Sequence, residues 1–303
     1  MSDRPELVKL KHGRLEMVVA PQLAMTCASL TSDGRELLWS PGPIASSLAQ
    51  GRLLGIPLLH PWANRLSADR YERFGRVGDV AAAPTRLRRD PAGRALHGLR
   101  PAPGAWTVVD QTERSIRGRL QHGQRPEELA AFPFPHVLDV ELALGTAGLR
   151  VQTRLTSLDG PVPVAYGFHP FLTLPGVARD RWRVALPRRV RVDLDDACMP
   201  VGTRSTADAE VVDLAGQDFD DAFSGLEQGA TLAVRGGPWS LTVVLDKGFG
   251  HAQLFAPEAL DLVSLEPMTA QTDALVTGHD LRMTRATDTT SFTLRIENED
   301  DVP

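Results

Sequence analysis

The fold is decided by His136-Val137-Leu138-Asp139-Val140-Glu141-Leu142-Ala143, the glycine-bounded turn Gly145-Thr146-Ala147-Gly148, and Leu149-Arg150-Val151-Gln152-Thr153-Arg154-Leu155. Polar and apolar side chains alternate at period two on both sides of the turn, which is the signature of strands with one wet and one dry face. A helix would gather its apolar residues at spacings of three and four. The two glycines bend the chain back, so the stretch predicts an antiparallel hairpin.

Working outward, the same grammar repeats. Toward the N-terminus lie Gly13 to Ala20, Ala24 to Leu30, a tight turn at Ser32-Asp33-Gly34 into Arg35-Glu36-Leu37-Leu38-Trp39, then Trp106 to Val109 and Ser115 to Gln121. Toward the C-terminus lie Arg181 to Leu186, Arg188 to Leu194, Thr231 to Val234, Trp239 to Leu245, Ala252 to Phe255, Leu262 to Leu265 and Phe292 to Ile296. The polar segment Gly202 to Gln217 reads as a long surface loop, and the acidic Glu297 to Asp301 as a frayed tail. No long amphipathic helix and no internal repeat interrupts the series. The expected fold is all-β, a large antiparallel β-sandwich with little helix, with residues 1–303 forming a single domain. A chain of this length buries roughly 75% of its unfolded surface and needs no covalent staples.

The composition narrows the function classes. A net charge of −5 argues against nucleic acid as a partner. The polar start Met1-Ser2-Asp3-Arg4-Pro5-Glu6 carries no apolar core of a leader peptide, and nothing approaches the ~20 apolar residues of a membrane span. A cytoplasmic protein without membrane contact is expected. Cys27 and Cys198 lie in no metal-binding spacing and read as core thiols of a reducing compartment. The chain has no G-x-G-x-x-G opening a helix, no phosphate-binding G-x-x-x-x-G-K, no H-E-x-x-H and no G-x-S-x-G. Nucleotide, zinc and nucleophile-elbow chemistry are therefore disfavoured, and no cofactor or metal is expected.

Two isolated titratable groups stand out. His169 lies within Val164-Ala165-Tyr166-Gly167-Phe168-His169-Pro170-Phe171-Leu172, and Glu266 within Leu262-Val263-Ser264-Leu265-Glu266-Pro267-Met268-Thr269. Each sits in an apolar strand just before a proline. A carboxylate in such a run needs a partner or a task, and an imidazole with a carboxylate is the equipment of general acid–base catalysis. Between Gly55 and Leu66, Asn64 is one of only two asparagines in the chain. Beside it, Arg65 can present a guanidinium fork to the oxygens of a polar ligand. Gly98 allows an unusual backbone angle next to His97. In Asp218-Phe219-Asp220-Asp221-Ala222-Phe223 a doubled acid is bracketed by phenylalanines, as in a loop against an apolar wall. His122 and His136 lack comparable surroundings and read as incidental.

In order along the chain, these segments resemble the aldose 1-epimerase (mutarotase) family, galactose mutarotase-like, in its divergent bacterial branch. The resemblance spans the Asp33-Gly34 hairpin with Leu37-Leu38-Trp39, Pro57-Leu58-Leu59, Trp62-Ala63-Asn64-Arg65, Leu96-His97-Gly98, Gly167-Phe168-His169-Pro170-Phe171, Phe219 to Phe223, and Glu266-Pro267-Met268-Thr269. It implies a single β-sandwich, His169 as general acid and Glu266 as general base. Arg65 and His97 would hold sugar hydroxyls, and Asp220 would accept hydrogen bonds from them, with Asp221 its rival because the doubled acid leaves the register open. Phe171 stands where the better-studied galactose mutarotases have Tyr, Thr173 where they have Asn, and the segment after Arg65 is shortened, so the sugar stays open. The implied reaction interconverts the α and β anomers of a free aldose by ring opening, in a monomer or homodimer.

Three alternatives are weighed beside it. A non-catalytic sugar-binding module could dispense with Glu266 or His169, and both are present. A hexose-6-phosphate mutarotase needs an added cationic patch, for which Arg52, Arg70 and Arg100 are available. A β-sandwich glycoside hydrolase or lyase calls for paired carboxylates or a Tyr base, and the chain offers only Tyr71 and Tyr166.

Overall fold

The computed structural model describes residues 5–301, so the N-terminal Met1 to Arg4 lie outside the described residues. The hairpin expected at the centre of the sequence forms from His136–Gly145 and Gly148–Ser157. Leu138, Val140, Leu142, Leu144, Leu149, Val151 and Leu155 turn into the core, as the alternation requires. A Cβ on Gly148 would meet the Leu294 carbonyl oxygen at 2.0 Å, so glycine is required where Thr287–Asn298 passes.

Among the described residues this hairpin belongs to a nine-stranded antiparallel sheet. Its order is Trp106–Gln111, Ser115–His122, His136–Gly145, Gly148–Ser157, Thr287–Asn298, Trp239–Lys247, Thr231–Gly236, Arg183–Leu186 and Glu210–Asp213. An eight-stranded sheet faces it, ordered Pro200–Ala207, Arg189–Leu194, Phe219–Ser224, His251–Ala256, Val263–Met268, Gly167–Phe168 and Leu58–Leu59, with Phe171–Leu172 also pairing to Val263–Met268. The N-terminal meander from Val8 to Glu36 forms a separate four-stranded sheet. Phe292 of the first sheet meets Phe168 of the second at 5.2 Å between ring centroids, and Tyr166 Oη lies 3.0 Å from Thr290 Oγ1. One continuous apolar cluster, from Leu10 to Ile296, fills the space between the layers. The fold is the large antiparallel sandwich that the alternation predicts, with helix confined among the described residues to short pieces such as Ile44–Ala49, Pro126–Ala131 and Ala274–Thr277. None of those helices is long and apolar enough to cross a membrane.

Several local expectations are corrected. Gly202 to Gln217 is no loop: Pro200–Ala207 and Glu210–Asp213 are edge strands, one on each large sheet. Both are largely solvated on both faces, so they carry no apolar alternation. Glu297 and Asn298 are no tail either, because they pair with Ser240 and Trp239, and Asn298 is buried. The acidic pair Asp220-Asp221 lies within the strand Phe219–Ser224, not in a loop.

Candidate active site

The site is built on Val263–Met268, in which every residue is buried. On one side Gly167 pairs with Met268 and Phe171 pairs with Ser264, which brings His169 opposite Glu266. Pro170 has no N–H to give the ladder, and pairing lapses there. The gap leaves the two side chains facing each other, with His169 Nε2 3.1 Å from Glu266 Oε1. On the other side Gln253 pairs with Glu266 and Asp220 pairs with Phe255. Side chains on one face repeat every second residue, so Asp220, Gln253, Glu266 and His169 form a polar row across one face of the sheet. Gln253 Nε2 donates to Asp220 Oδ1 at 2.6 Å. Asp221 points to the other face, where Arg191 Nη2 lies 3.8 Å away. The doubled acid is thereby resolved: Asp220 faces the row and Asp221 does not.

A second wall comes from two irregular segments. Asn64 and His97 both adopt left-handed backbone, with φ of 55° and 57°, a conformation in which Asn and His are several-fold enriched among non-glycine residues. They are laced together, His97 N donating to Asn64 O at 2.9 Å and Asn64 N to His97 Nδ1 at 3.3 Å. Gly98 follows at φ 70°, where a Cβ would stand 2.1 Å from the His60 carbonyl oxygen. Asn64 Nδ2 reaches Gln253 Oε1 at 3.4 Å, joining this wall to the polar row. The His97 ring meets His169 edge-on at 5.6 Å. Arg65 Nε donates to Asp90 Oδ2 at 3.2 Å, and with Asp220 and Cys198 it forms the half-buried side of the site.

Packing fixes the imidazole. Phe171 stacks on His169 at 4.0 Å between centroids and 23° between planes, and Ser264 Oγ lies 2.8 Å from Nδ1, leaving Nε2 for Glu266. Burial opposes charge on both partners. It pushes His169 down to about 3 and Glu266 well above the usual carboxylate range. The negative Asp220 adds to the rise of Glu266, against the pull of Arg65. Burial thus favours the neutral form of the pair, carboxylic acid against imidazole. Burial also keeps His97 neutral. Since its Nδ1 accepts from Asn64, its Nε2 is the donor. The second carboxyl oxygen, Glu266 Oε2, is buried without a hydrogen-bond partner. Such an orphan acceptor costs stability and calls for an explanation, of which a ligand oxygen or an ordered water is one.

The structure brings together His169, Glu266, His97, Arg65, Asn64 and Asp220. It adds three residues that the sequence does not single out. Gln253 interrupts the buried run of His251–Ala256 with an inward amide, a signal visible once the strand's facing is known. Ser264 looks like any small strand residue. Cys198, expected in the core, is half-buried at the site, where its Sγ donates to Asp220 Oδ2 at 3.0 Å; partial burial and that carboxylate push the thiol up to about 11. Cys27 is buried as expected. His122 and His136 are not incidental: they form a buried trio with His60 behind the Asn64 wall. Among the described residues no group of three or more His, Cys, Asp or Glu is placed to hold a metal ion.

A family model described as aldose 1-epimerase matches residues 6–275. The fold is shared with a galactose mutarotase-like protein from Clostridium acetobutylicum, at 14% identity and a TM-score of 0.81, over 96% of this chain and 95% of that one. A Synechocystis sp. PCC 6803 protein is 21% identical with a TM-score of 0.78, over 98% of this chain and 97% of that one. A galactose mutarotase related enzyme from Lactobacillus acidophilus is 18% identical with a TM-score of 0.78, over 98% and 99%. No curated protein matches the chain.

Proposed function

We propose, from the premise that this chain belongs to the aldose 1-epimerase family, that it interconverts the α and β anomers of an aldose by acid–base ring opening. The observation that carries the proposal is the buried His169–Glu266 contact with the free oxygen Glu266 Oε2 beside it. A pyranose presents two oxygens on C1, the hydroxyl O1 and the ring oxygen O5, and opening the ring requires a proton to leave one as another reaches the other.

With sugar bound, hydroxyl groups and Arg65 supply polarity that the buried pair otherwise lacks, and the proton crosses the 3.1 Å contact from Glu266 to His169. Glu266 Oε2 then takes the O1 proton while His169 Nε2 gives its proton to O5, and the C1–O5 bond breaks without a bare alkoxide forming. The product is the open-chain aldehyde, with Glu266 protonated and His169 neutral. That is the form burial favours, so the dry surroundings stabilise the state reached on opening. Rotation about C1–C2 presents the other face of the aldehyde. Reversal of both transfers closes the ring with inverted configuration, and the protein returns unchanged. His97 Nε2 and the Arg65 fork donate to sugar hydroxyls, Asp220 accepts from them, and Asn64 holds His97 and Gln253 in place.

Saturation-transfer NMR of anomeric protons across a panel of aldoses tests reaction and substrate together. Accelerated exchange by the wild type, lost in Glu266→Gln and in His169→Asn with circular dichroism unchanged, is the expected result. Near-normal exchange in either variant removes that residue from its role, and binding without exchange by the wild type makes the protein a sugar-binding module instead.

A further inference from the structure

Away from the polar row, the turn after Ile44–Ala49 and the hairpin of Leu87–Arg89 with Ala95–Leu99 enclose a cleft of about 260 Å³, lined by Arg52, Arg88 and Arg100. Arg88 Nη2 donates to the Gly51 carbonyl at 3.3 Å. A Cβ on Gly51 would stand 3.6 Å from Arg100 Nη1, so Arg88 and Arg100 converge on the same residue. Elsewhere Arg65 pairs with Asp90, Arg86 with Glu128, Arg204 with Asp280 and Arg282 with Asp288, while the buried Arg179 is met by the carbonyls of Leu214, Gln217 and Ala256. Among the described residues no acid pairs with the half-buried Arg88, nor with Arg52 and Arg100, which are exposed at the mouth of the cleft. The cost is visible in Arg88, whose guanidinium is held down to about 10 by burial and by the charge of Arg100. Like charges gathered without a counter-charge raise the free energy of the folded state, and an anion relieves it. A guanidinium carries five N–H donors in a plane, and three guanidiniums together match the oxygens of a tetrahedral oxyanion.

We propose that this cleft binds a phosphate group. Leu48, Leu54, Leu58 and Leu99 give it an apolar side that fits the body of an organic phosphate. The cleft also abuts the catalytic pair: Pro57 lines it and accepts the His169 N–H at 3.1 Å, and Leu58 pairs with Phe168. The phosphate comes either on the sugar itself or on a separate effector. The site stands without the epimerase assignment, and only the choice between those two sources rests on it.

The test titrates the full chain with inorganic phosphate in a chloride buffer by isothermal calorimetry. The wild type gives a saturable isotherm, and the Arg88→Gln/Arg100→Gln double variant binds at least about tenfold more weakly. Arg70→Gln, on a strand outside the cleft, leaves the isotherm unchanged. Gly51→Asp serves as a second variant that does not remove the arginines. Asp tolerates the left-handed backbone at this position, and its carboxylate enters the cluster and displaces phosphate to the same extent. No saturable binding by the wild type, or equal binding by both cleft variants with native circular dichroism, overturns the proposal. Anomer exchange on an aldose and on its 6-phosphate then assigns the source. A substrate-borne phosphate shows as a KM for the 6-phosphate raised at least about tenfold in the double variant, with the free aldose unaffected. An effector shows as a phosphate-dependent rate on the free aldose that the double variant lacks. Failure of the epimerase assignment shows as no exchange in any arm and leaves the calorimetry untouched.

Discussion

Two groups of buried histidines lie on either side of the segment that carries Asn64. On one side His169 and His97 face Glu266, Arg65 and Asp220. On the other His122 and His136 stack, and His60 and Phe132 meet them edge-on or tilted. In the second group each imidazole has a fixed tautomer. His136 Nδ1 donates to the Phe134 carbonyl at 2.7 Å, so its Nε2 accepts from His60 Nε2 at 2.9 Å, and His122 Nε2 donates to the Phe132 carbonyl at 2.9 Å. Burial lowers the pKa in both groups, His136 and His169 alike to about 3. A depressed histidine pKa therefore does not mark catalysis in this protein. The two groups differ in what is left over. In the trio His136 and His122 donate to backbone carbonyls and His60 donates to His136, whereas the pair at the candidate active site ends in a carboxyl oxygen without a partner.

The contrast breaks most directly through activity. Glu266→Gln and His169→Asn are each expected to slow anomer exchange by about 10²-fold or more, the usual contribution of a proton-transfer group. His136→Ala is expected to leave exchange per folded molecule within a few-fold. Equal losses in all three by saturation-transfer NMR would merge the two groups into one machine.

Stability reads the same contrast in reverse. Removing the His136 ring strands the His60 donor and opens a cavity, so His136→Ala should lower the unfolding free energy by about 2–4 kcal/mol, measured by urea denaturation. Glu266→Gln removes a buried acid and should raise it. Folded Glu266 holds its proton above its ordinary value, so its contribution is present at acid pH and is lost as pH rises through its folded pKa. The histidines act oppositely. Their folded pKa values are depressed, so the unfolded chain takes up protons that the folded chain refuses, and stability falls as pH drops from 6.5 toward about 3 for His136 and His169. Thermal midpoints across pH should show the acid limb flattened in His136→Gln and the alkaline limb raised in Glu266→Gln.

Smaller effects sharpen the boundary of the site. Asp220→Asn should raise KM about tenfold by weakening hydrogen bonds to sugar hydroxyls, while Asp221→Asn, on the opposite face, leaves both kinetic constants nearly unchanged. Ser264→Ala should lower kcat a few-fold with KM preserved, because it frees the His169 ring to turn without touching the sugar; a change confined to KM would count against that role.

Much of the fold is legible from period-two alternation in strands with one dry face, as in His136 to Leu155. It is illegible where a strand has no dry face, as in Pro200–Ala207, whose solvated residues mimic a loop. The catalytic candidates His169 and Glu266 are visible because a titratable group in an apolar run is costly. Their contact is not, because it depends on a pairing register between segments about a hundred residues apart. Adjacent acids at 220 and 221 cannot be told apart until the strand's facing is known. Gln253 and Ser264 stay hidden because an amide or hydroxyl in a strand costs little to explain. The trio of His60, His122 and His136 is overlooked for the opposite reason: its members come from separate segments and gain meaning only as a cluster.

Gly98 passes so closely over the His60 peptide that the segment carrying His97 and the one carrying His60 meet backbone to backbone. A methyl group added at that position would press on the His60 backbone, so the segments that carry the histidine trio and His97 share a wall that tolerates no thickening.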